Sequence, residues 1–140
     1  MTSENLRRAA ADSNVILSAV IGKAALRIFV RPEMGLITTR FNLHEVEEYL
    51  PRLASKYRLD EKSLFWQFKM LPLQAFSDKY YKSHFAKASK LLKDRDPDDL
   101  HLLALALKEN VLIWSNDHDF EKLSIPVYTT AQFLKALEEQ

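Results

Sequence analysis

The fold is predicted from the stretch Asp96–Phe120, which reads DPDDLHLLALALKENVLIWSNDHDF. Acidic residues open an apolar helix predicted over residues 98–110, and a short apolar strand follows over residues 111–114 before a second acidic cluster. Apolar runs of this kind belong inside a protein, yet carboxylates bracket both of them. These acids either cap and end the two elements, or they meet in space and bind a cation.

Strands and helices alternate along the rest of the chain. Strands are predicted at residues 6–12, 36–39, 73–76, 111–114 and 125–128. Helices are predicted at 15–30, from Asn42 to Leu53, from Asp60 or Ser63 to Pro72, and at 78–93, 98–110 and 131–139. Because strands separated by helices form parallel sheets, we predict an α/β layered fold. No linker or repeat divides the chain, so residues 1–140 are expected to form one domain.

Composition excludes several classes of protein. The chain is 47% hydrophobic and 28% charged, which is typical of a soluble globule, and its net charge of +1 argues against a uniformly basic nucleic-acid face. The absence of Cys excludes disulfides, thiolate metal sites and a cysteine nucleophile. Neither of the two glycines lies in a phosphate-binding loop. No apolar run reaches the roughly 18 residues that span a membrane, so a cytoplasmic protein without membrane contact is expected.

Acidic residues are expected at one edge of the sheet, because ligands of parallel sheets bind beyond the carboxyl ends of the strands. Asp12 follows the first strand, and Glu45 lies one short turn beyond the second. Asp99 starts the helix that leads into the fourth strand, and Asp117 follows that strand.

Each of these acids also has a purely structural explanation. Asn42 and Glu45 have the spacing of a capping box. Asp96 has the position of a helix N-cap, with Pro97 after it. Asp117 and Asp119 have the residue type that shapes turns through bonds to the backbone.

The alternative explanation is a metal site. Two carboxylates about 4 Å apart repel by roughly 4 kcal/mol at an effective dielectric constant of about 20. Several acids that meet at one edge therefore need a cation, and oxygen ligands select Mg²⁺ or Mn²⁺. Such ions, held by carboxylates, suit the cleavage of phosphodiester bonds.

In these features the chain resembles the PIN-domain family, and within it the VapC-like toxin ribonucleases, over nearly its whole length. The resemblance rests on four pieces of sequence in this order: Asp12-Ser13-Asn14-Val15, Glu45 within residues 39–46, Asp99 before LHLLALA, and Ser115-Asn116-Asp117-x-Asp119-Phe120.

This resemblance implies a three-layer α/β/α fold with five parallel strands in the order 3-2-1-4-5. It also implies a Mg²⁺- or Mn²⁺-dependent endoribonuclease that dimerises and is held inactive by a cognate antitoxin. The acidic quartet would be Asp12, Glu45, Asp99 and Asp117, with Asp119 competing for the last position and with Asn14, Ser115 and Asn116 orienting substrate or ligands.

Other functions stay open at this point. The first alternative is a catalytically inactive PIN-like module that binds RNA or protein. A phosphoryl-transfer domain with Asp12 as nucleophile is a further alternative, but Asn14 stands where a haloacid-dehalogenase-like site carries a second Asp. The lysines of residues 78–93 form either a solvated helix face or a guide for a phosphate backbone.

Overall fold

A computed structural model of the protein describes residues 5–93, 96–117, 120 and 123–140. Its strands are β1 Arg8–Ala11, β2 Gly35–Thr39, β3 Gln74–Phe76, β4 Leu112–Trp114 and β5 Val127–Tyr128. They form one parallel sheet in the order β3-β2-β1-β4-β5. The predicted α/β class and the predicted strand order are therefore confirmed.

Helices cover both faces of this sheet. They are α1 Ser13–Val20, α2 Leu26–Phe29, α3 Arg40–Tyr57, α4 Glu61–Met70, α5 Asp78–Tyr81, α6 Phe85–Leu92, α7 Leu100–Glu109 and α8 Thr130–Glu138. One hydrophobic cluster joins the sheet to α1–α4 and α8, and the other joins it to α5–α7. These two clusters produce three layers. Within the described ranges, no helix is both long and apolar enough to cross a membrane.

The central strand β1 has the sequence Arg-Ala-Ala-Ala, which is a poor strand sequence by propensity. It pairs with β2 on one side and with β4 on the other, and its three alanines are fully buried. Ala9 and Ala11 face one hydrophobic cluster, whereas Ala10 faces the other. Burial on both faces and pairing on both edges therefore override the low propensity.

Two predicted helices are interrupted. The single helix expected over residues 15–30 is instead α1 and α2, and Gly22 lies between them with a φ of +79°. This left-handed conformation suits glycine and cannot continue a right-handed helix. The helix expected over residues 78–93 is likewise divided into α5 and α6 by a 3-10 turn at Lys82–His84.

The predicted helix starts at Asn42 and Asp98 are also wrong. Helix α3 begins at Arg40, and its N-cap is Thr39, whose side chain accepts a hydrogen bond of 2.9 Å from the backbone N of Asn42. Thr39 is the last residue of β2, so the extended backbone that an N-cap requires is already present there. Helix α7 begins only at Leu100, because a 3-10 turn occupies Pro97–Asp99.

Candidate functional site

Asp12 lies at the carboxyl edge of the sheet, directly after β1, and is the N-cap of α1. Its Oδ1 accepts a hydrogen bond of 2.8 Å from the backbone N of Ser13. Its Oδ2 accepts from Ser115 Oγ at 2.8 Å and from Asn14 Nδ2 at 3.2 Å. The residue is only 9% exposed. The cap and the two side-chain donors therefore fix the orientation of a nearly buried carboxylate.

Burial is the main reason why the pKa of Asp12 is raised above its ordinary value. The hydrogen bonds from Ser115, Ser13 and Asn14 oppose this shift, and the negative charge of Asp117 adds to it. Among the described residues, the surroundings of Asp12 thus supply hydrogen-bond donors but no full positive charge that would lower the pKa.

Asn42 is a buried amide that joins the first and second strand ends. Because Thr39 Oγ1 accepts from the backbone N of Asn42, its own proton goes to Asn42 Oδ1 at 2.6 Å. This fixes the orientation of the amide. Its Nδ2 then donates to Ser13 Oγ at 2.9 Å and, at 3.4 Å, to Asp12 Oδ1.

Glu45 completes this side of the site. Its Oε1 accepts a hydrogen bond of 3.0 Å from Ser13 Oγ. The proposed capping box of Asn42 and Glu45 is therefore not formed, since Thr39 caps the helix. Burial raises the pKa of Glu45 above its ordinary value, and the charges of Asp98, Asp12 and Asp96 raise it further. Glu45 thus faces acids from two separate parts of the chain.

Among the described residues, the segment before α7 contains three acids with different environments. The Oδ1 of Asp96 accepts a hydrogen bond of 2.9 Å from the backbone N of Asp98, which fits the capping role expected of Asp96. Asp98 is exposed, and its charge acts on both Glu45 and His101. Asp99 is half-buried at the N-cap of α7, but its side chain makes no capping hydrogen bond. The carboxylate of Asp99 is therefore not committed to helix capping.

The residues that follow β4 are bound to the first strand end. Ser115 Oγ accepts from Asn14 Nδ2 at 3.2 Å and from the backbone N of Asp117 at 3.0 Å. The backbone N of Asn116 donates to Asn14 Oδ1 at 3.1 Å, while Asn116 Oδ1 accepts from Thr130 N at 2.8 Å. Asp117 is exposed beside Asp12, whereas the side chain of Asn116 is bonded to the start of α8.

The structure therefore connects six of the residues singled out from the sequence, directly or through shared neighbours. They are Asp12, Asn14, Glu45, Ser115, Asn116 and Asp117. Asp99 lies at the same edge at the start of α7, and Asp119 lies outside the described residues. In the part of the chain that the structure describes, no three Asp, Glu or His side chains form a preformed metal-binding group.

Sequence reasoning missed Ser13 and Asn42 as parts of the site. Asn42 is predicted only as a cap and Ser13 is given no role in the site. In the structure Ser13 Oγ donates to Glu45, and Asn42 Nδ2 donates to Ser13 Oγ and to Asp12 Oδ1. One signal was present in the sequence: Asn42 precedes Glu45 by three residues, which places both on one face of α3.

The donor set has the chemistry that a hard divalent cation requires. Carboxylate, hydroxyl and amide oxygens converge on this edge, and the described residues place no Lys or Arg ion pair on Asp12 or Glu45. Both carboxylates have raised pKa values because of burial and of neighbouring negative charge. A divalent ion would reverse the electrostatic part of both shifts, so these residues fit Mg²⁺ or Mn²⁺.

Comparison with known proteins agrees with this architecture. A chain of the VapBC2 complex from Rickettsia felis, solved bound to a DNA fragment from its promoter, is similar with a TM-score of 0.62 and 14% identity, and the match covers 87% of this chain and 98% of that one. The protein PAE2754 from Pyrobaculum aerophilum is similar with a TM-score of 0.70 and 12% identity, over 100% of this chain and 95% of that one. At such identities the similarity shows the fold alone.

No curated protein sequence matches the chain. The profile of one protein family, described as the PIN domain, matches residues 11–138. This match begins one residue before Asp12 and includes every acid discussed above. The chain therefore belongs to the PIN-domain family.

Proposed function

We propose that the protein is a Mg²⁺- or Mn²⁺-dependent endoribonuclease and the toxin of a type II toxin–antitoxin pair. The observation that carries this proposal is the nearly buried carboxylate of Asp12, which has a raised pKa and faces further acids from two other parts of the chain. Such an arrangement is costly for a metal-free protein, which is typical of a functional site rather than of a structural one.

Asp12, Glu45, Asp99 and Asp117 would hold the ion, and Asp119 is an alternative to Asp117. When bound, a divalent ion activates water as the nucleophile and offsets negative charge on the leaving oxygen of the phosphodiester. Asp98 competes with Asp99 for the third position, because its charge also acts on Glu45.

The neighbours of these acids orient them. Ser115 and Asn14 both donate to Asp12 Oδ2, and these two hydrogen bonds fix the orientation of the Asp12 carboxylate. Ser13 does the same for Glu45. Donors of this kind fix the orientation of ligating carboxylates. Asn14, Ser115 and, with a smaller role, Asn116 are therefore assigned to orienting ligands and substrate.

The family and the fold support the wider assignment. PIN domains are generally nucleases, and a chain of the R. felis VapBC2 complex has a similar fold. From this similarity we infer that the chain acts on RNA in the cytoplasm, forms a homodimer and is inhibited by a cognate antitoxin protein. Light scattering of the purified chain tests the dimer directly.

The test of catalysis compares amide variants of three aspartates. Asp12→Asn and Asp99→Asn are expected to abolish Mn²⁺-dependent cleavage of RNA while the circular dichroism spectrum stays unchanged. Asp60→Asn is the matched control, because Asp60 caps α4 beyond the far end of α3, about 27 Å from the start of that helix. Asn also caps helices, so Asp60→Asn is expected to cleave like wild type.

Other outcomes distinguish the alternatives. Unchanged cleavage in both Asp12→Asn and Asp99→Asn would remove the proposed catalytic role. No Mn²⁺ binding by the wild-type chain at millimolar concentration would favour a catalytically inactive PIN-like module that binds RNA or protein. The toxin role predicts growth arrest on expression of the wild type but not of Asp12→Asn, and rescue by the product of a short adjacent reading frame.

A further inference from the structure

Two aromatic rings are stacked between α3 and α7. The rings of Phe41 and His101 have centroids 4.3 Å apart and an interplanar angle of 3°. Phe41 lies in the first turn of α3 and His101 in the first turn of α7. Both side chains are half-buried, so part of the pair reaches solvent.

Tyr81 contacts the buried side of this pair through His101. The phenol oxygen of Tyr81 lies 2.7 Å from His101 Nδ1, and Tyr81 is only 1% exposed. Burial raises the pKa of Tyr81 to about 12, so its hydroxyl keeps its proton at neutral pH. Phe85 contacts the His101 ring edge-to-face at 5.2 Å. These contacts with Tyr81 and Phe85 define the orientation of the His101 ring.

Core packing does not explain Phe41. Of the described residues, those that form or pack against the two hydrophobic clusters do not include Phe41, whereas the aromatic rings of Phe65, Phe76 and Phe85 are included. Among the described residues, the ring of Phe41 contacts the ring of His101. A large apolar ring that is partly exposed and packs on one polar ring needs another explanation.

The pair also adjoins the acidic edge on both sides. Phe41 lies one turn before Glu45 on the same face of α3, since the two are four residues apart. His101 lies two residues after Asp99, and the charge of Asp98 reaches its ring. The stacked rings thus bridge the two helices whose starts carry the second and third acids.

We propose that the Phe41–His101 pair is a stacking platform for one unpaired nucleobase of the RNA substrate, next to the phosphate that is cleaved. Single-stranded RNA is recognised chiefly by stacking of splayed bases on aromatic rings. A base that extends the stack places the adjoining phosphate toward Glu45 and Asp99. This inference rests on the proposed function, because it names a contact of that same site with its substrate.

The test measures RNA binding and not only cleavage. A short single-stranded RNA is prepared in forms that each lack the base at one position, with every position tested in turn, and binding to the Asp12→Asn variant is followed by fluorescence anisotropy. Removal of one particular base is expected to weaken binding by about 5- to 150-fold, as the loss of one stacked base does. Phe41→Leu is expected to weaken binding of intact RNA by a similar factor and to abolish the effect of removing that base.

Control variants separate stacking from a general loss of structure. Phe41→Trp keeps an aromatic face and is expected to restore both the affinity and its dependence on that base. Phe65→Leu replaces a half-buried ring on α4 and is expected to leave the RNA affinity and its dependence on that base unchanged. With active protein, Phe41→Leu is expected to raise KM for RNA while kcat at saturation stays within about threefold of wild type.

Several results would overturn the platform. The first is that RNA affinity depends on that base as strongly in Phe41→Leu as in the parent protein, and the second is that affinity in the parent protein depends on no single base. The third is that Phe41→Trp loses as much RNA affinity as Phe41→Leu. Failure of the proposed function has a different signature, because RNA then binds with this dependence on the base but is not cleaved when Mn²⁺ is present and Asp12 is intact.

Discussion

Ser13 Oγ donates a hydrogen bond of 3.0 Å to Oε1 of Glu45, which joins the residue after Asp12 to the second turn of α3. The same hydroxyl accepts from Asn42 Nδ2 at 2.9 Å. The positions of the first two acids are thus set by uncharged neighbours before any cation binds. This preorganisation is the basis of the predictions that follow.

Asn42→Asp is expected to destabilise the metal-free protein at pH 7. The change replaces the Nδ2 donor with an acceptor that faces Asp12 and Ser13, and loss of a buried donor costs about 1–3 kcal/mol. The loss in free energy of unfolding should be smaller at pH 4, where the introduced carboxyl group is protonated and donates again. Urea unfolding at the two pH values measures both quantities.

The matched control for this change is Asn116→Asp. Asn116 uses its Oδ1 to accept from the backbone N of Thr130, and an Asp oxygen retains that bond. This exposed variant is expected to stay within about 0.5 kcal/mol of wild type. An equal loss for Asn42→Asp at both pH values would contradict the role given to the amide donor.

The pKa of Asp12 predicts how stability depends on pH. A carboxyl group whose pKa is raised by folding binds its proton more tightly in the folded state. Its contribution to the free energy of unfolding is therefore fully present below its ordinary pKa and is lost as pH rises through the raised value. Stability of the wild type relative to Asp12→Asn should therefore fall as pH rises above about 4. Urea unfolding in EDTA measures this difference.

Glu45 does not reverse the sign of the result. The charge of Asp12 contributes to the raised pKa of Glu45, so its loss in Asp12→Asn changes the difference in stability in the same direction. A difference between wild type and Asp12→Asn that rises with pH, or stays level, would show that burial does not disfavour the Asp12 carboxylate.

Ser115→Ala is expected to lower kcat and Mn²⁺ affinity by about 10- to 100-fold, as removal of a donor to a ligating carboxylate does. Ser115 Oγ donates to Asp12 Oδ2 and accepts from the backbone N of Asp117, so its loss affects two proposed ligands. Ser115→Thr retains the hydroxyl and should keep most of the activity. Wild-type kinetics in Ser115→Ala would refute the orienting role.

Thr130→Val is expected to reduce the free energy of unfolding by about 1–3 kcal/mol, because a buried donor is left without an acceptor. The donor is Trp114 Nε1, which lies 3.0 Å from Thr130 Oγ1, and Trp114 is fully buried between Phe29 and Phe133. The double variant with Thr130→Val and Trp114→Phe should lose less free energy of unfolding than the sum of the two single losses. Additive losses would show that this hydrogen bond carries no coupling energy.

The edge at which the acids gather was predictable from the ends of the predicted strands, since the carboxyl ends of parallel strands share one edge. The order of the strands was predictable only through the resemblance to the PIN-domain family, because strand ends do not determine which strands are neighbours. Asp12 and Ser115 are 103 residues apart in sequence, yet their hydrogen bond follows from β1 lying beside β4.

The finer details depended on three-dimensional contacts. Thr39 and Asn42 both have N-cap chemistry, and only the end of β2 decides that Thr39 caps α3. The alanines of β1 have low strand propensity, and their burial between two layers is invisible in a local window. The network around Asn42 depends on side-chain orientations that spacing does not encode.

The position of β1 between β2 and β4 also bears on synthesis. Nascent chains fold from the N-terminus, so β2 and β3 can join β1 while the second half is still being translated. The other edge of β1 stays open until β4 emerges, and with β4 come Ser115 and Asp117. A ribosome must therefore pass the codon for Asp117 before the proposed site can form, so this site is completed only late in synthesis.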